Sequence, residues 1–331
     1  MKEQDKQAEG DLANPLVTLY MLSYNRKQYV RDAFESMLQQ TYSPLEIIVA
    51  DGHSTDGTYE LIQQMAQAYK GCHQIRISRN ERDLGLIGNL NKVFTLMRGE
   101  LLIMNCDDDI SMPDKVTRIV ESWIKYDKKP TAIAVSSIII DQKGEQVGRF
   151  DLGKERLLTR SLISFMRLGC PNGMYGGTGA AFAYSKKMID TFGPITTRFT
   201  ADDAVLVRRA YLLGPILILP DLLFKYRVGD GLSTRRSDTF RRETVRQRWV
   251  YNTLKQIKKD VRIVQLPSKT EQKIMAILIK EMSMELACSK MWRMKTCSRI
   301  ILFFRATKWG MMFFEFPRQT LRLALRSIQR A

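Results

Sequence analysis

The chain has 331 residues, 44% hydrophobic and 26% charged, with 52 Lys and Arg against 35 Asp and Glu for a formal net charge of +17. That length and apolar content suit one large α/β domain with an appendage, or two small domains, and exclude extended disorder. A balance this basic favours anionic partners: nucleic acid, an anionic membrane surface or phosphorylated substrates.

Residues 1–14 are polar, without apolar period, and are expected to form a flexible tail rather than a signal peptide. "LVTLYML" at 16–22 then reads as a buried strand, "SYNRKQ" as a polar loop, and "YVRDAFESMLQQ" as a helix with Val30, Phe34, Met37 and Leu38 on its apolar side. "LEIIVAD" is a second buried strand ending at Asp51, and "GHSTDG" leads to a helix near 58–69. A third strand, "QIRISRN", and a helix near 86–98 precede a fourth strand, "LLIMN", which runs straight into Asp107, Asp108 and Asp109. Alternating helices and near-continuously apolar strands predict a mostly parallel sheet covered by helices. Ligands bind such sheets beyond the carboxyl ends of the strands, where Ser23, Asp51 and Asp107–Asp109 all fall.

Beyond residue 130 the rhythm changes. "TAIAVSSIII" predicts a strand, "DQKGEQVGRF" a hairpin, and 157–168 a helix before the Gly-rich "GCPNGMYGGTGAAFAYS". "ADDAVLVRRAYLLG" predicts a helix with Asp202 and Asp203 at its start, and "PILILPD" a further strand. From about 235 the chain reads as helical and basic. No apolar run reaches the length of a membrane span; the nearest, "IILFFRATKWGMMFF", is interrupted by Arg305 and Lys308. The five cysteines are scattered without CxxC pairs, and His53 and His73 read as surface residues.

Taken one at a time, the polar clusters have two readings each. Three adjacent aspartates either cap the helix expected near Pro113 or hold a hard divalent cation. Asp51 either belongs to a turn or accepts a hydrogen bond from a base's ring N–H. The Asp202–Asp203 pair is either a helix cap or a general base facing a hydroxyl. Lys225 and Arg227, in "KYRVGDGLST", are either surface cations or a diphosphate clamp on a Gly-flexible loop.

Together the motifs "LYMLSYNR", "LEIIVADGHSTDGT", "GNLNKVFTLMRGELLIMNCDDDISMPDKV", "ADDAVLVRRAYLLG" and "LLFKYRVGDGLST" resemble the family 2 glycosyltransferases, inverting sugar-nucleotide enzymes of the GT-A fold. The likeness covers roughly residues 15–235 and leaves 236–331 as a basic helical C-terminal region. It implies a Rossmann-like, mostly parallel sheet flanked by helices. It also implies that Ser23 and Tyr24 cradle the base, Asp51 reads a uracil-type N–H, and Asp107 faces the ribose. Asn91 joins these as a nucleotide-sugar-binding residue, and Arg227 closes over the donor. Asp108, with Asp109, would bind Mn2+ or Mg2+; Asp203, beside Asp202, would be the catalytic base. The sequence departs from the family pattern in three places: Gly52 replaces a second acid after Asp51, Cys106 takes the leading position of the D-x-D-D motif, and Asp202 replaces a Glu.

The donor expected is a UDP- or dTDP-type sugar. The acceptor expected is a glycan or polyprenyl-diphosphate-linked hydroxyl in O-antigen, capsule or exopolysaccharide assembly. The tail at 290–330 interleaves Trp292, Phe303, Phe304, Trp309, Phe313 and Phe314 with Arg and Lys. It suits a helix on an anionic membrane surface, which would put the protein peripherally at the inner face of the cytoplasmic membrane. A packed helix pair is the plainer reading. A nucleic-acid-binding role leaves the five motifs unexplained, and an inactive scaffold leaves Asp51, Asp108 and Asp203 unexplained.

Overall fold

A computed structural model describes residues 14–159, 179–229 and 239–293. The chain divides into two compact units: residues 1–198 with 202–235, and residues 199–201 with 236–331.

The first unit is built on a ten-stranded sheet. β1 (Val17–Ser23) and β2 (Leu45–Asp51) are buried along their whole length, as expected of apolar strands covered on both faces. β1 pairs in parallel with β2 on one side and with β4 (Leu101–Cys106) on the other; β3 (Gln74–Arg79) adds to β2 as the edge. β3 alternates exposed and half-buried residues and carries Arg76 and Arg79, the charge that keeps an edge from pairing further. The connecting helices are α1 (Lys27–Leu38), α2 (Thr58–Ala68) and α3 (Gly85–Leu96). Val30, Ala33, Phe34 and Met37 of α1 are buried at i, i+3, i+4 and i+7, the spacing of one helix face. α4 (Lys115–Lys125) repeats the pattern with Val116, Ile119, Val120 and Trp123.

Beyond β4 the sheet becomes mixed. β6 (Ala132–Ile140) and β10 (Ile216–Arg227) are parallel, and β9 (Phe182–Ser185) joins β4 to β6 antiparallel to both. Short β5 (Ile110–Ser111) and β8 (Arg156–Leu158) pair with β10, and β7 (Gln146–Phe150) returns along β6 as the expected hairpin. The register of β10 against β6 slips after Leu219 because Pro220 cannot donate to the ladder. A Gly179–Ala181 turn precedes β9; α5 (Lys186–Phe192) and α6 (Asp202–Leu213) follow it.

Three expectations are corrected. Residues 157 and 158 lie in β8 instead of opening a helix, because the edge of β10 pairs with them; most of the proposed 157–168 helix lies outside the described residues. Lys225 and Arg227 sit on a strand, not a loop, because β10 continues past Pro220 in register with Ile138 and Ile140. His73 is buried, with Nε2 2.9 Å from the Gln40 carbonyl oxygen and its ring stacked on Tyr69.

In the second unit, α7 (Thr239–Ile263) and α8 (Ser268–Arg293) pack through buried Leu254, Ile257, Val261, Ile274 and Leu278. No helix among the described residues is long and apolar enough to cross a membrane. The tail beyond 293 lies outside the described residues.

The amino-terminal end of the sheet is tied by a buried carboxylate. Glu46 accepts from Thr18 Oγ1 (2.5 Å), the Arg98 amide (2.6 Å), Arg98 Nε (2.9 Å) and the Gly99 amide (3.2 Å). Gly99 is required here, since a Cβ would stand 2.4 Å from the Thr18 nitrogen. Burial raises the Glu46 pKa, but the Thr18 and Arg98 bonds outweigh it and hold the group below the usual glutamate range. Its stabilisation is therefore present at neutral pH and lost as pH falls through that range. Glu46→Ala is expected to cost about 3 kcal/mol in urea unfolding at pH 7, because it strands buried donors and the Arg98 charge. The difference from wild type should shrink below about pH 4.

Candidate active site

The register of three strands fixes where the polar residues meet. Ser23 pairs with Asp51, Asp51 with Arg79, and Leu22 with Cys106. The carboxyl ends of β3, β2, β1 and β4 therefore stop level, and the loops leaving them share one rim.

Two of those loops are sewn together. The Asn25 amide donates to Ser54 Oγ (2.9 Å), the Thr55 amide to Asn25 Oδ1 (2.9 Å), the Arg26 amide to Thr58 Oγ1 (2.9 Å), and the Lys27 amide to Asp56 Oδ2 (3.1 Å). Asp56 also accepts from the Thr58 amide and hydroxyl, which opens α2 after Gly57 at φ +90°. The turn chemistry of "GHSTDGT" thus serves local structure through Asp56 and leaves Asp51 for another use.

Asp51 is wholly buried. Its Oδ2 accepts from the His53 and Ser54 amides (3.0 and 2.9 Å) and lies 3.7 Å from Arg79 Nε; its Oδ1 has no hydrogen-bond partner among the described residues. A buried carboxylate oxygen left unpaired costs stability unless a ligand donor meets it. Tyr24, half-exposed, lies against Gly52: a Cβ there would come within 3.3 Å of its ring.

The three aspartates do not cap a helix. Asp114 precedes α4, and Ser111 is held in β5 with its hydroxyl on Asn105. Asp107 accepts from the Tyr24 amide (3.2 Å) and lies 3.8 Å from Arg26 Nε, while Arg26 Nη2 is 3.9 Å from Asp108 Oδ2. Asp109 is buried, with Oδ1 accepting from the Arg227 amide (2.9 Å). Cys106 Sγ and one oxygen each of Asp108 and Asp109 lie within 4.8 Å of one another. Ligand atoms on one ion stand roughly 3 to 4.5 Å apart, so a slight closing of these side chains would hold a cation; two carboxylates suit Mn2+ or Mg2+. Burial, then the charge of Asp108, pushes both Asp107 and Asp109 up to about 7.

Two buried cations brace this cluster. Lys115 is fully buried, donates to the carbonyls of Met104 (2.9 Å) and Ala180 (3.2 Å), and lies over Phe224. Burial lowers its pKa to about 8, against the pull of Asp109 and Cys106. Arg227 donates from Nε to the Asp108 carbonyl (3.0 Å) and from Nη1 to the carbonyls of Asp141 and Gln142, and stacks on Tyr29 at 4.8 Å. These contacts make Arg227 a brace of the aspartate loop. Asn91 bonds the Ile195 amide and carbonyl (both 2.9 Å), which ties α3 to the segment leading toward α6.

Asp202 and Asp203 begin α6. Asp203 Oδ1 accepts from the Ala204 amide at 2.7 Å. Burial, then the charge of Asp203, raises Asp202 to about 7; burial also raises Asp203, which Arg208 partly offsets. Tyr20 is buried, its hydroxyl is unpartnered among the described residues, and its pKa is raised by burial, then by Asp202, Cys106 and Asp203.

Arg26, Cys106, Lys115 and Tyr20 were not singled out from sequence as members of the site. Only Cys106 had a signal, its place before the aspartates.

Residues 18–193 match the model for glycosyl transferase family 2, more than half of the chain, and the protein belongs to that family. A Haemophilus influenzae protein described as an uncharacterized glycosyltransferase is 30% identical over 156 residues, 46% of this chain and 47% of its own. The chain thus spans about half the length of this curated relative. Staphylococcus aureus TarS 1-349, solved in complex with UDP-GlcNAc, superposes with a TM-score of 0.58 at 16% identity, covering 80% of this chain and 72% of that TarS fragment. The mannosyltransferase PcManGT from Pyrobaculum calidifontis, solved with GDP-Man and Mn2+, gives 0.55 at 15% identity, covering 95% and 84%. The sheet order and flanking helices are those of the GT-A fold.

Carboxylates raised in the folded state favour folding at low pH, and that contribution is lost as pH rises through about 7. A cation that requires their ionised form should restore it. The melting-temperature gain on adding Mn2+ is therefore expected to be small at pH 5.5 and to grow through pH 7.5, as scanning calorimetry would record. Asp108→Ala should abolish the gain.

Proposed function

We propose that the protein is an inverting glycosyltransferase, moving a sugar from a UDP- or dTDP-type donor to a hydroxyl acceptor. The observation that carries this reading is Asp51: a buried carboxylate at a strand end, its Oδ1 unpartnered among the described residues, beside the half-exposed Tyr24. A pyrimidine ring N–H is the donor such an oxygen lacks, and an aromatic face beside it suits a flat base. Ser23 stands level with Asp51 at the end of β1, and Asp107, tied to Tyr24, would be the carboxylate that faces a ribose. TarS and PcManGT, solved with UDP-GlcNAc and GDP-Man, support a nucleoside-diphosphate donor.

Asp108 and Asp109 would hold Mn2+ or Mg2+, which supplies positive charge opposite a departing diphosphate. Asp203 accepts the proton of the acceptor hydroxyl as that oxygen attacks the anomeric carbon from the face opposite the diphosphate. Asp203 suits this role better than Asp202 because it is less buried and so more open to an acceptor. One displacement inverts the anomeric carbon. The acceptor we favour is a lipid-linked glycan of a cell-surface polysaccharide, because the basic, aromatic tail suits an anionic membrane surface.

Calorimetric titration with UDP, dTDP and GDP, with and without Mn2+, tests the donor. One pyrimidine nucleotide should bind in a metal-dependent way, and Asp51→Asn should weaken it about tenfold to a hundredfold while leaving the fold intact. Binding of GDP alone would overturn the donor assignment. Asp203→Asn should lower kcat at least about a hundredfold with donor affinity unchanged. The wild-type rate should rise with pH through about 7, as the acidic pair, raised by burial, ionises.

A further inference from the structure

Cys106 ends β4 in the position where the family motif carries its leading aspartate. The carboxylate that follows does not take its place: Asp107 is turned to the Tyr24 amide and Arg26. The atom that does join Asp108 and Asp109 is the Cys106 sulfur, within 4.8 Å of an oxygen of each. A second observation points into the same spot. Asp109 is wholly buried, yet only Oδ1 has a hydrogen bond of normal geometry; Oδ2 has none among the described residues, and the Cys106 thiol is the group beside it. A thiol and a buried carboxylate oxygen side by side are two atoms that one cation can take as ligands.

We propose that Cys106 ligates the divalent cation through its sulfur, so that this site takes softer ions than an all-carboxylate site would. The inference rests on the reading of the aspartate loop as a cation site. On binding, the S–H bond breaks, its proton leaves to solvent, and a sulfur lone pair forms the metal–sulfur bond; nothing is oxidised or reduced. Thiolate donors favour Zn2+, Cd2+ and Co2+, whereas carboxylates alone suit Mg2+ and Mn2+. Any nitrogen, oxygen or sulfur site already binds Co2+ more tightly than Mn2+. The diagnostic is therefore how that preference changes when the sulfur is removed.

The test uses the full metal-free chain titrated with Co2+, followed by the near-ultraviolet thiolate-to-cobalt charge-transfer band, and with Mn2+ and Cd2+ by calorimetry. Wild type should show the band and Cys106→Ser should lose it. The serine variant should lose about tenfold to a hundredfold in Cd2+ affinity, with a smaller change for Mn2+. Cys106→Asp should shift preference toward Mn2+. A variant with Cys72, Cys170, Cys288 and Cys297 changed to Ser but Cys106 kept must retain the band, which keeps the test decisive should Cys106→Ser fold poorly. Mn2+ binding with no Cys106-dependent band would overturn the proposal and leave the cation site standing. Absence of binding by any of the three ions would overturn both.

Discussion

Repulsion among carboxylates at one end of a sheet is the constraint on which the site depends. Asp107, Asp108 and Asp109 leave β4 in a single turn, and burial lifts the first and third to about 7. Asp109 is wholly buried and Asp107 and Asp108 are only partly exposed, so the chain supplies compensation from three directions. Arg26 approaches Asp107 and Asp108 from the end of β1; the Arg227 amide and guanidinium hold the loop from β10; Lys115 sits buried beneath it. Each cation comes from a different part of the sequence. The cluster is therefore stable only in the assembled fold.

The same constraint explains why the buried cations are not free to meet a ligand. Lys115 binds two backbone carbonyls and lies over Phe224. Arg227 binds three carbonyls and stacks on Tyr29. Neither has a long solvated stem with which to reach outward. Arg227 holds Asp108 and Asp109 directly, and Lys115 holds the end of β4 from which the aspartate loop leaves. A side chain that touches backbone on every side positions its neighbours.

Level strand ends do the rest. Because β1, β2 and β4 pair in parallel without a slip, Asp51 and the aspartate loop are separated only by Ser23 and its stitched loop. Asp202 and Asp203 arrive from a helix that is buried nearly all round, so their position is set by packing on many sides.

The strands and first helices were legible because apolar period and continuity are local: "LVTLYML", "LEIIVAD" and "LLIMN" are buried strands wherever they pair, and Val30, Phe34 and Met37 mark a face on any helix. Asp51 and Asp107–Asp109 were legible as a rim for the same reason, since parallel strands align their ends. β9 was hidden because four residues after a Gly-rich stretch carry too little pattern. Arg227 looked like part of a flexible loop because glycines follow it, and only pairing with β6 makes it strand. Asn91 carried no sign that its amide would meet Ile195. The sequence by itself determined which residue types stand at the strand ends and that they form a glycosyltransferase-type rim. The tertiary structure alone decided which cations brace them, that Asp107 turns away, and that Cys106 turns in. Those outcomes depend on contacts between segments up to 119 residues apart, which no local pattern encodes.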